Sequence, residues 1–290
     1  MNDEFDYRYP RPVYGQIPGA HTGASLGTGD RFAGFADLFD YPDPRRLDLR
    51  ASIKSSLSEA VISTGQRWLV RRYQQRSAMT LWYLPDLSNS MAIANVNREH
   101  LAQLGQMIAY SAIRLGDRFA MAGFDAQCRQ DVMIMPSRQK SVSHLAAEQI
   151  RSASRAVQPG VDGLAHAAAM ITSAHAIVFL ASDFCCDLAI IEQALQKLAR
   201  FTVVPIVWQH DDVDHLPSHA GWLDMRDAET GEKRHIWMRT AIKQQWQATI
   251  AQHFSQLEAC FMRYQIRPLY VQGQVSGEQL TRYFMGMKKA

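Results

Sequence analysis

Short apolar segments of strand length alternate with longer amphipathic segments between residues 67 and 208. Residues 176–181, Ala-Ile-Val-Phe-Leu-Ala, contain no polar side chain and fit a strand that is covered on both faces. Residues 98–115 predict a helix, because their apolar positions recur every three or four residues. Strands that alternate with helices predict an α/β fold with a doubly wound, mostly parallel sheet and helices on both faces. The other predicted strands are 67–73, 79–84, 119–124, 131–135 and 201–208, and the other helices are 141–155, 163–172 and 188–200.

The two ends of the chain differ from this pattern. Residues 1–44 are rich in proline and glycine and predict an irregular extension. One long amphipathic helix is predicted from Met238 to Tyr264, followed by a short strand near 269–271 and a final helix from Ser276. We therefore expect an irregular N-terminal extension at 1–65, an α/β domain at 66–226 and a C-terminal helical segment at 227–290 that packs on it. Pro205 indicates that its strand lies near an edge or at a bulge.

The composition excludes several classes of protein. The net charge of +3 comes from 31 basic and 28 acidic residues, too small an excess to indicate a nucleic-acid partner. The four cysteines form no C-x-x-C pair, and adjacent Cys185 and Cys186 are expected to be buried as small apolar residues, with redox activity as the alternative. The acidic start of the chain does not resemble a signal peptide, and no segment is apolar enough for a membrane span. We expect a cytoplasmic protein without an integral membrane segment.

The segment that indicates chemistry follows the predicted strand at 79–84. Asp86, Ser88 and Ser90 alternate along a short loop, so a tight turn can direct all three side-chain oxygens to one point. One carboxylate and two hydroxyls form a hard-oxygen set of the kind that Mg²⁺ prefers. The same residues are also favoured helix caps, and capping is the alternative interpretation.

A second carboxylate occupies an equivalent position. Asp183 follows the apolar strand at 176–181, just as Asp86 follows its own strand. The loops at the carboxyl ends of parallel strands line the ligand crevice of an open α/β sheet. Two carboxylates that converge there repel each other unless a cation or a proton joins them. The pair favours a metal site, although Ser182 and Asp183 by themselves fit the cap of the next helix.

The D-x-S-x-S pattern at 86–90 resembles the metal-ion-dependent adhesion site of von Willebrand factor A (vWA) domains. The chain resembles most the bacterial vWA-like proteins that accompany MoxR-type AAA+ ATPases, which include a member from methanol-oxidation gene clusters. Further landmarks appear in the family's order: PRRLDLRAS at 44–52, LGDR at 115–118, LASDF at 180–184 and RDAETGE at 226–232. The resemblance implies a vWA-like sheet with Mg²⁺, or alternatively Mn²⁺ or Ca²⁺, held by Asp86, Ser88, Ser90 and Asp183.

One position departs from the family's pattern. The threonine that the family places in its middle loop is absent, and the segment Pro159-Gly160-Val161-Asp162-Gly163 stands there instead. Val161 cannot bind a metal. Asp162 is the candidate replacement ligand, with capping of the next helix as the alternative.

Three functions are consistent with these residues. The first is a non-enzymatic, metal-dependent adaptor that binds a MoxR-type AAA+ ATPase and a client protein, with methanol dehydrogenase as a candidate client. The second is a metal-independent interaction module with a degenerate site. The third is a metal-dependent phosphohydrolase, although Ser88 stands where the haloacid-dehalogenase type needs a second aspartate. A competing zinc candidate, the histidine-rich stretch 210–219, is expected to be a polar loop.

Overall fold

The computed structural model describes residues 4–7, 21–27, 31–58, 67–92, 95–156, 158–209, 221–227 and 231–287. Within it the chain forms two compact units. The smaller unit is Tyr9–Ala78, and the larger unit combines Met1–Arg8 with Met79–Ala290.

The smaller unit contains a three-stranded antiparallel sheet. Its elements are β1 (His21–Gly27), β2 (Arg31–Asp37), a 3-10 helix (Pro44–Arg46), α1 (Leu49–Ser58) and β3 (Leu69–Ser77). β1 and β2 flank β3 on either side. The prediction of an irregular extension at 1–65 is therefore wrong for β1, β2 and α1. The glycines in this stretch predict loop rather than strand. In addition, β1 and β2 pair with β3, which is distant in sequence, so the local sequence does not indicate the pairing. β3 itself, predicted within the α/β domain, belongs to this smaller sheet.

The larger unit contains the remaining elements. Its strands are β4 (Thr80–Pro85), β5 (Arg118–Phe124), β6 (Cys128–Ser137), β7 (Ala176–Ser182), β8 (Thr202–Trp208), β9 (Gly221–Arg226), β10 (Lys233–Met238) and β11 (Leu269–Val271). Its helices are α2 (Asn89–Ala92), α3 (Asn95–Arg114), α4 (Val142–Ser152), α5 (Leu164–Ala169), α6 (Leu188–Leu198), α7 (Thr240–Arg263) and α8 (Gly277–Gly286).

Six of these strands form the main sheet, in the spatial order β11-β8-β7-β4-β5-β6. All neighbours are parallel except β5 and β6. The chain runs from β4 to β5 on one side and later returns to β7 on the other side of β4. β4 is therefore the strand at which the winding of the sheet reverses.

Helices cover both faces of this sheet. On one face, alternating side chains of β4 and β7 such as Trp82 and Val178 belong to a buried cluster with residues of α5, α6 and α7. On the other face, the hydroxyl of Tyr83 donates to the carbonyl oxygen of Leu101 in α3 at 3.0 Å. Burying alternate residues on opposite faces explains why β7 has no polar position before its end. The predicted α/β fold class is confirmed.

The first residues of the chain are part of the larger unit. Phe5 is 1% exposed and packs against Phe179 of β7 and Phe284 of α8. The hydroxyl of Tyr7 donates to Asp117 Oδ2 at 2.5 Å. The proline- and glycine-rich composition of residues 1–44 did not predict this packing, because among the described residues 4–7 it depends on two aromatic side chains, Phe5 and Tyr7.

The elements near the C-terminus largely match those predicted from the sequence. α7 begins at Thr240 and buries Leu257, Cys260 and Phe261, while its first half is partly exposed. The β9–β10 hairpin was not predicted. β8 lies next to edge strand β11, which pairs with it only from Ile206 onward, so Pro205 lies just before that pairing begins. None of the helices in the described ranges has the length and apolar character needed to cross a membrane.

Candidate functional site

The loop after β4 lies at the carboxyl edge of the sheet, between two neighbouring strands. The backbone N–H of Asp86 donates to the carbonyl oxygen of Ala181 in β7 at 2.9 Å. The N–H of Leu87 donates to Phe124 at the end of β5 at 2.7 Å. These bonds fix the loop at the point where the winding reverses, which is where open α/β sheets bind ligands.

Asp86 is fully buried and its carboxylate accepts hydrogen bonds from both sides of the loop. Its Oδ1 accepts the N–H of Ser88 at 2.9 Å, and its Oδ2 accepts the hydroxyl of Ser182 at 2.5 Å. The hydroxyl oxygens of Ser88 and Ser90 are 3.1 Å apart. The local D-x-S-x-S turn therefore gathers three side chains through short-range contacts.

Asp183 supplies the second carboxylate, from the end of the neighbouring strand. It is 4% exposed, and its Oδ1 accepts the N–H of Cys185 at 3.0 Å. Burial, followed by the negative charge of Asp183, raises the pKa of Asp86 to about 7. Hydrogen bonds from Ser182 and Ser88 oppose this rise. The structure thus brings Asp86, Ser88, Ser90 and Asp183 together at one edge.

Asp162 differs from the two acidic residues of this group in its exposure. Its side chain is exposed in the turn before α5, whereas Asp86 and Asp183 are buried. Val161 is 6% exposed and belongs to the hydrophobic core beneath the site. The middle loop therefore contributes an apolar core residue where the resemblance leads us to expect a hydroxyl ligand.

The turn after Asp183 holds a strained backbone. Phe184 has φ +54°, a left-handed conformation that side chains with a Cβ rarely adopt. Three contacts hold it: its N–H donates to Ser182 Oγ at 2.9 Å, its carbonyl accepts from Nε2 of His253 at 2.8 Å, and its ring packs edge-on against Phe261. Strain of this kind is typical of functional sites, where surrounding contacts over-determine it.

The two adjacent cysteines follow this turn. Cys185 is exposed and Cys186 is partly buried, so the expectation that both are buried is wrong. Although part of the Cys185 residue is exposed, neighbouring atoms crowd its thiol, and this desolvation, followed by the charges of Asp183 and Asp86, raises the pKa of the Cys185 thiol to about 12. The same causes raise the pKa of Cys186 above its usual range. Both thiols are therefore protonated at neutral pH, which disfavours thiolate chemistry.

Sequence reasoning missed two residues of this edge. Ser182 was considered only as a helix cap, yet its hydroxyl bonds the Asp86 carboxylate. Asp125 is buried at the end of β5, where Arg129 Nη1 donates to it at 2.8 Å. The sequence pattern that could have identified Asp125 is the one that identified Asp86 and Asp183, namely an acidic residue directly after an apolar strand.

The chemistry of these residues fits a divalent cation. Asp86 and Asp183 are buried acidic neighbours, and the negative charge of Asp183 contributes to the raised pKa of Asp86. Ser88 and Ser90 add neutral hydroxyl oxygens, which suit Mg²⁺. No cluster of three or more His, Cys, Asp or Glu occurs in the part of the chain that the structure covers, so hydroxyls are needed to complete the ligand set. The histidine-rich stretch 210–219 lies outside the described residues.

Comparison with protein families gives one match. Residues 63–256 match the family described as protein of unknown function DUF58, over more than half of the chain. The chain belongs to the DUF58 family. Comparison with curated proteins gives no match.

Several solved structures are similar to this DUF58 protein at low identity. The conserved hypothetical protein BatB from Bacteroides thetaiotaomicron is 14% identical, with 74% of this chain and 100% of that chain covered and a TM-score of 0.39. An aerotolerance-related membrane protein from Bacteroides fragilis is 14% identical, with the same coverage and a TM-score of 0.40. Proximal thread matrix protein 1 from the mussel byssus, with a zinc-occupied MIDAS motif, is 15% identical, with 46% and 38% covered and a TM-score of 0.34.

Proposed function

We propose that this DUF58 protein is a non-enzymatic adaptor that holds a divalent cation and docks a partner protein at the carboxyl edge of its sheet. The observation that carries the proposal is the convergence of buried Asp86 and Asp183 at the reversal point of the sheet. Two buried carboxylates repel each other, and a cation between them removes that repulsion.

Asp86, Ser88, Ser90 and Asp183 are the residues that would hold the ion. Mg²⁺ is the proposed ion, with Mn²⁺ and Ca²⁺ as alternatives that accept the same oxygen ligands. When bound, the ion supplies a positive centre that a partner's carboxylate can approach. The role of the chain is to hold the four oxygens in place, through the bonds from Ser182 and from the backbone of Ser88.

The proposed partner is a MoxR-type AAA+ ATPase, which acts with this cytoplasmic adaptor on a client protein. Support comes from the sequence landmarks at 44–52, 115–118, 180–184 and 226–232, which resemble the vWA-like proteins that accompany such ATPases. The adaptor would present the client for maturation or remodelling, and methanol dehydrogenase is the candidate client to test first.

Co-purification with a co-encoded MoxR-type ATPase tests this proposal. We expect the tagged full chain to retain the ATPase in Mg²⁺, and to lose most of it in EDTA or as the Asp86→Ala variant. Glu148→Gln removes an exposed carboxylate of α4 and serves as the control, with retention equal to wild type. Absence of the ATPase under all conditions would contradict the proposed partnership.

A second function is favoured by the middle loop. Val161 is buried in the core, so the hydroxyl ligand that the resemblance implies in the middle loop is absent. A metal-independent interaction module is the function that follows if the remaining four residues do not bind a cation. Partner binding that is unchanged by EDTA and by Asp86→Ala would favour this second function over the first.

A further inference from the structure

Helix α7 contacts the turn after Asp183 through a polar side chain at the end of an apolar stripe. His253 precedes Leu257 and Phe261 by four and eight residues, so the three side chains lie along one face of the helix. Leu257 and Phe261 are fully buried, in the same core cluster as Phe184. A histidine at the end of such a stripe needs a hydrogen-bond partner, because a polar group that is buried without one destabilises the fold.

The partner of His253 is the backbone of the turn. Its Nε2 lies 2.8 Å from the carbonyl oxygen of Phe184. A carbonyl oxygen only accepts hydrogen bonds, so Nε2 carries the ring proton and donates it. Four residues beyond Leu257, the ring of Phe261 packs edge-on against the ring of Phe184, with 5.5 Å between their centroids. Helix α7 therefore fixes both the carbonyl group and the side chain of Phe184, whose backbone has the positive φ described above.

From Phe184 the contacts continue to the carboxylate of Asp86. The N–H of Phe184 donates to Ser182 Oγ at 2.9 Å, and the hydroxyl of Ser182 donates to Asp86 Oδ2 at 2.5 Å. A hydroxyl has one proton, so the Ser182 oxygen that donates to Asp86 remains free to accept from Phe184. Both Ser182 and Asp86 are buried, where hydrogen bonds are stronger than in water. His253, Phe184 and Ser182 thus form a hydrogen-bond relay that ends on Asp86.

This relay holds one of the two carboxylate oxygens of Asp86. The other oxygen, Oδ1, accepts the N–H of Ser88 from the same loop. The orientation of the carboxylate therefore depends on its own loop on one side and on helix α7 on the other side. Hydrogen-bond partners that orient a metal ligand commonly change the affinity for the metal by about 10–100-fold when they are removed.

We infer that His253 is a positioning residue of the proposed cation site. It acts from α7 through the relay, and it holds the Asp86 carboxylate in the orientation that the ion requires. The inference rests on the proposed function, because it concerns the affinity of the same site for a divalent cation. A purely structural role of His253 would depend on the size and shape of its ring, whereas positioning depends on the N–H donor at Nε2.

Calorimetric titration of the full chain with Mg²⁺ tests this inference. We expect about tenfold weaker binding in His253→Phe, which keeps an aromatic ring of similar size and loses the donor. His253→Gln should bind nearly as tightly as wild type, because its side-chain amide can donate from the position of Nε2. A structural role predicts the reverse order of these two variants. His144→Ala removes an exposed histidine of α4 and should bind like wild type.

Hydrogen–deuterium exchange of residues 182–187 in EDTA tests the relay without the ion. We expect these amides to exchange about fivefold faster in His253→Phe than in wild type, because one net hydrogen bond that restrains the turn is lost. His253→Gln and His144→Ala should exchange as slowly as wild type. Equal exchange in His253→Phe and wild type would overturn the relay.

The titration also separates this inference from the proposed function. Mg²⁺ binding that is unchanged in His253→Phe, or equally weakened in His253→Phe and His253→Gln, would overturn the positioning role and leave the cation site in place. Wild type that binds neither Mg²⁺ nor Mn²⁺ would reject the cation site itself, and with it any role of His253 in holding an ion.

Discussion

At the scale of single residues, Asp86 links the candidate site to the stability of the fold. Its carboxyl group is buried beside Asp183, and its pKa is raised to about 7. The folded state therefore holds more protons than the unfolded state between the ordinary carboxyl pKa and about pH 7. A state that binds more protons loses stability as the pH rises, so ionisation of Asp86 opposes folding.

Chemical denaturation in EDTA should reveal this linkage. We expect the free energy of unfolding to fall by about 1–4 kcal/mol between pH 4.5 and pH 8, in proportion to the raised pKa. Asp86→Asn should flatten this dependence, because the amide does not titrate, and Glu148→Gln should leave it unchanged. Equal pH dependence in wild type and Asp86→Asn would contradict the assignment of the shift to Asp86.

The strained backbone of Phe184 gives a second prediction at this scale. Its positive φ penalises any residue with a Cβ, so Phe184→Gly should be more stable than Phe184→Ala by about 1 kcal/mol. Both variants lose the same buried ring, so the comparison isolates the backbone. Urea denaturation measures the difference. The usual order, with alanine more stable than glycine, would show that the turn is not strained in solution.

At the scale of secondary-structure elements, the start of α5 is fixed against the β5–β6 turn. The N–H of Gly163 donates to the carbonyl oxygen of Asp125 at 3.0 Å. A Cβ built on Gly163 would lie 2.1 Å from the backbone carbon of Gln127, so no larger residue fits without moving one of the two elements. This close approach explains why glycine follows Asp162.

Replacement of this glycine should therefore be costly. We expect Gly163→Ala to lower the free energy of unfolding by about 2 kcal/mol or more, since overpacking against backbone cannot relax through a side chain. Gly221→Ala is the matched control, because a Cβ there meets no atom of the described residues within 4 Å. Thermal or urea denaturation checks both variants. A loss of the same size at both positions would contradict the close packing of α5.

The elements also show how far sequence reasoning reaches. Residues 86–90 and Asp183 were identified because the change from continuous apolar residues to polar residues marks the end of a buried strand in the sequence. The polar residues that follow such a strand lie at the sheet edge. The order of the strands was not predictable, because neighbour choice depends on contacts between distant segments. β1 and β2 were missed for the same reason.

At the scale of the whole molecule, the first described residues of the chain pack against β7 and α8 of the larger unit. Phe5 packs between β7 and α8. The backbone of Glu4 lies close to Gly277, since a Cβ built on Gly277 would lie 2.2 Å from the carbonyl oxygen of Glu4. Phe5 and Tyr7 therefore belong to the packed core that supports β7 and, at its end, Asp183.

Truncation of this aromatic contact should destabilise the larger unit. We expect Phe5→Ala to lower the free energy of unfolding by about 3–5 kcal/mol, the usual loss for a fully buried phenylalanine. Phe39 is 85% exposed, so Phe39→Ala provides a control that should change stability by less than about 0.5 kcal/mol. Comparable effects of the two substitutions would show that residues 4–7 are not packed in solution.

The central claim is that oxygens from Asp86, Ser88, Ser90 and Asp183 form one divalent-cation site. Calorimetric titration of the metal-free full chain with Mg²⁺ tests it most directly, with Mn²⁺ as a second probe. The account predicts one bound ion in wild type and in Glu148→Gln, and at least about tenfold weaker binding in Asp183→Asn, because that change removes one of two charged ligands. Mg²⁺ and Mn²⁺ binding that is absent in wild type, or unchanged in Asp183→Asn, would contradict it.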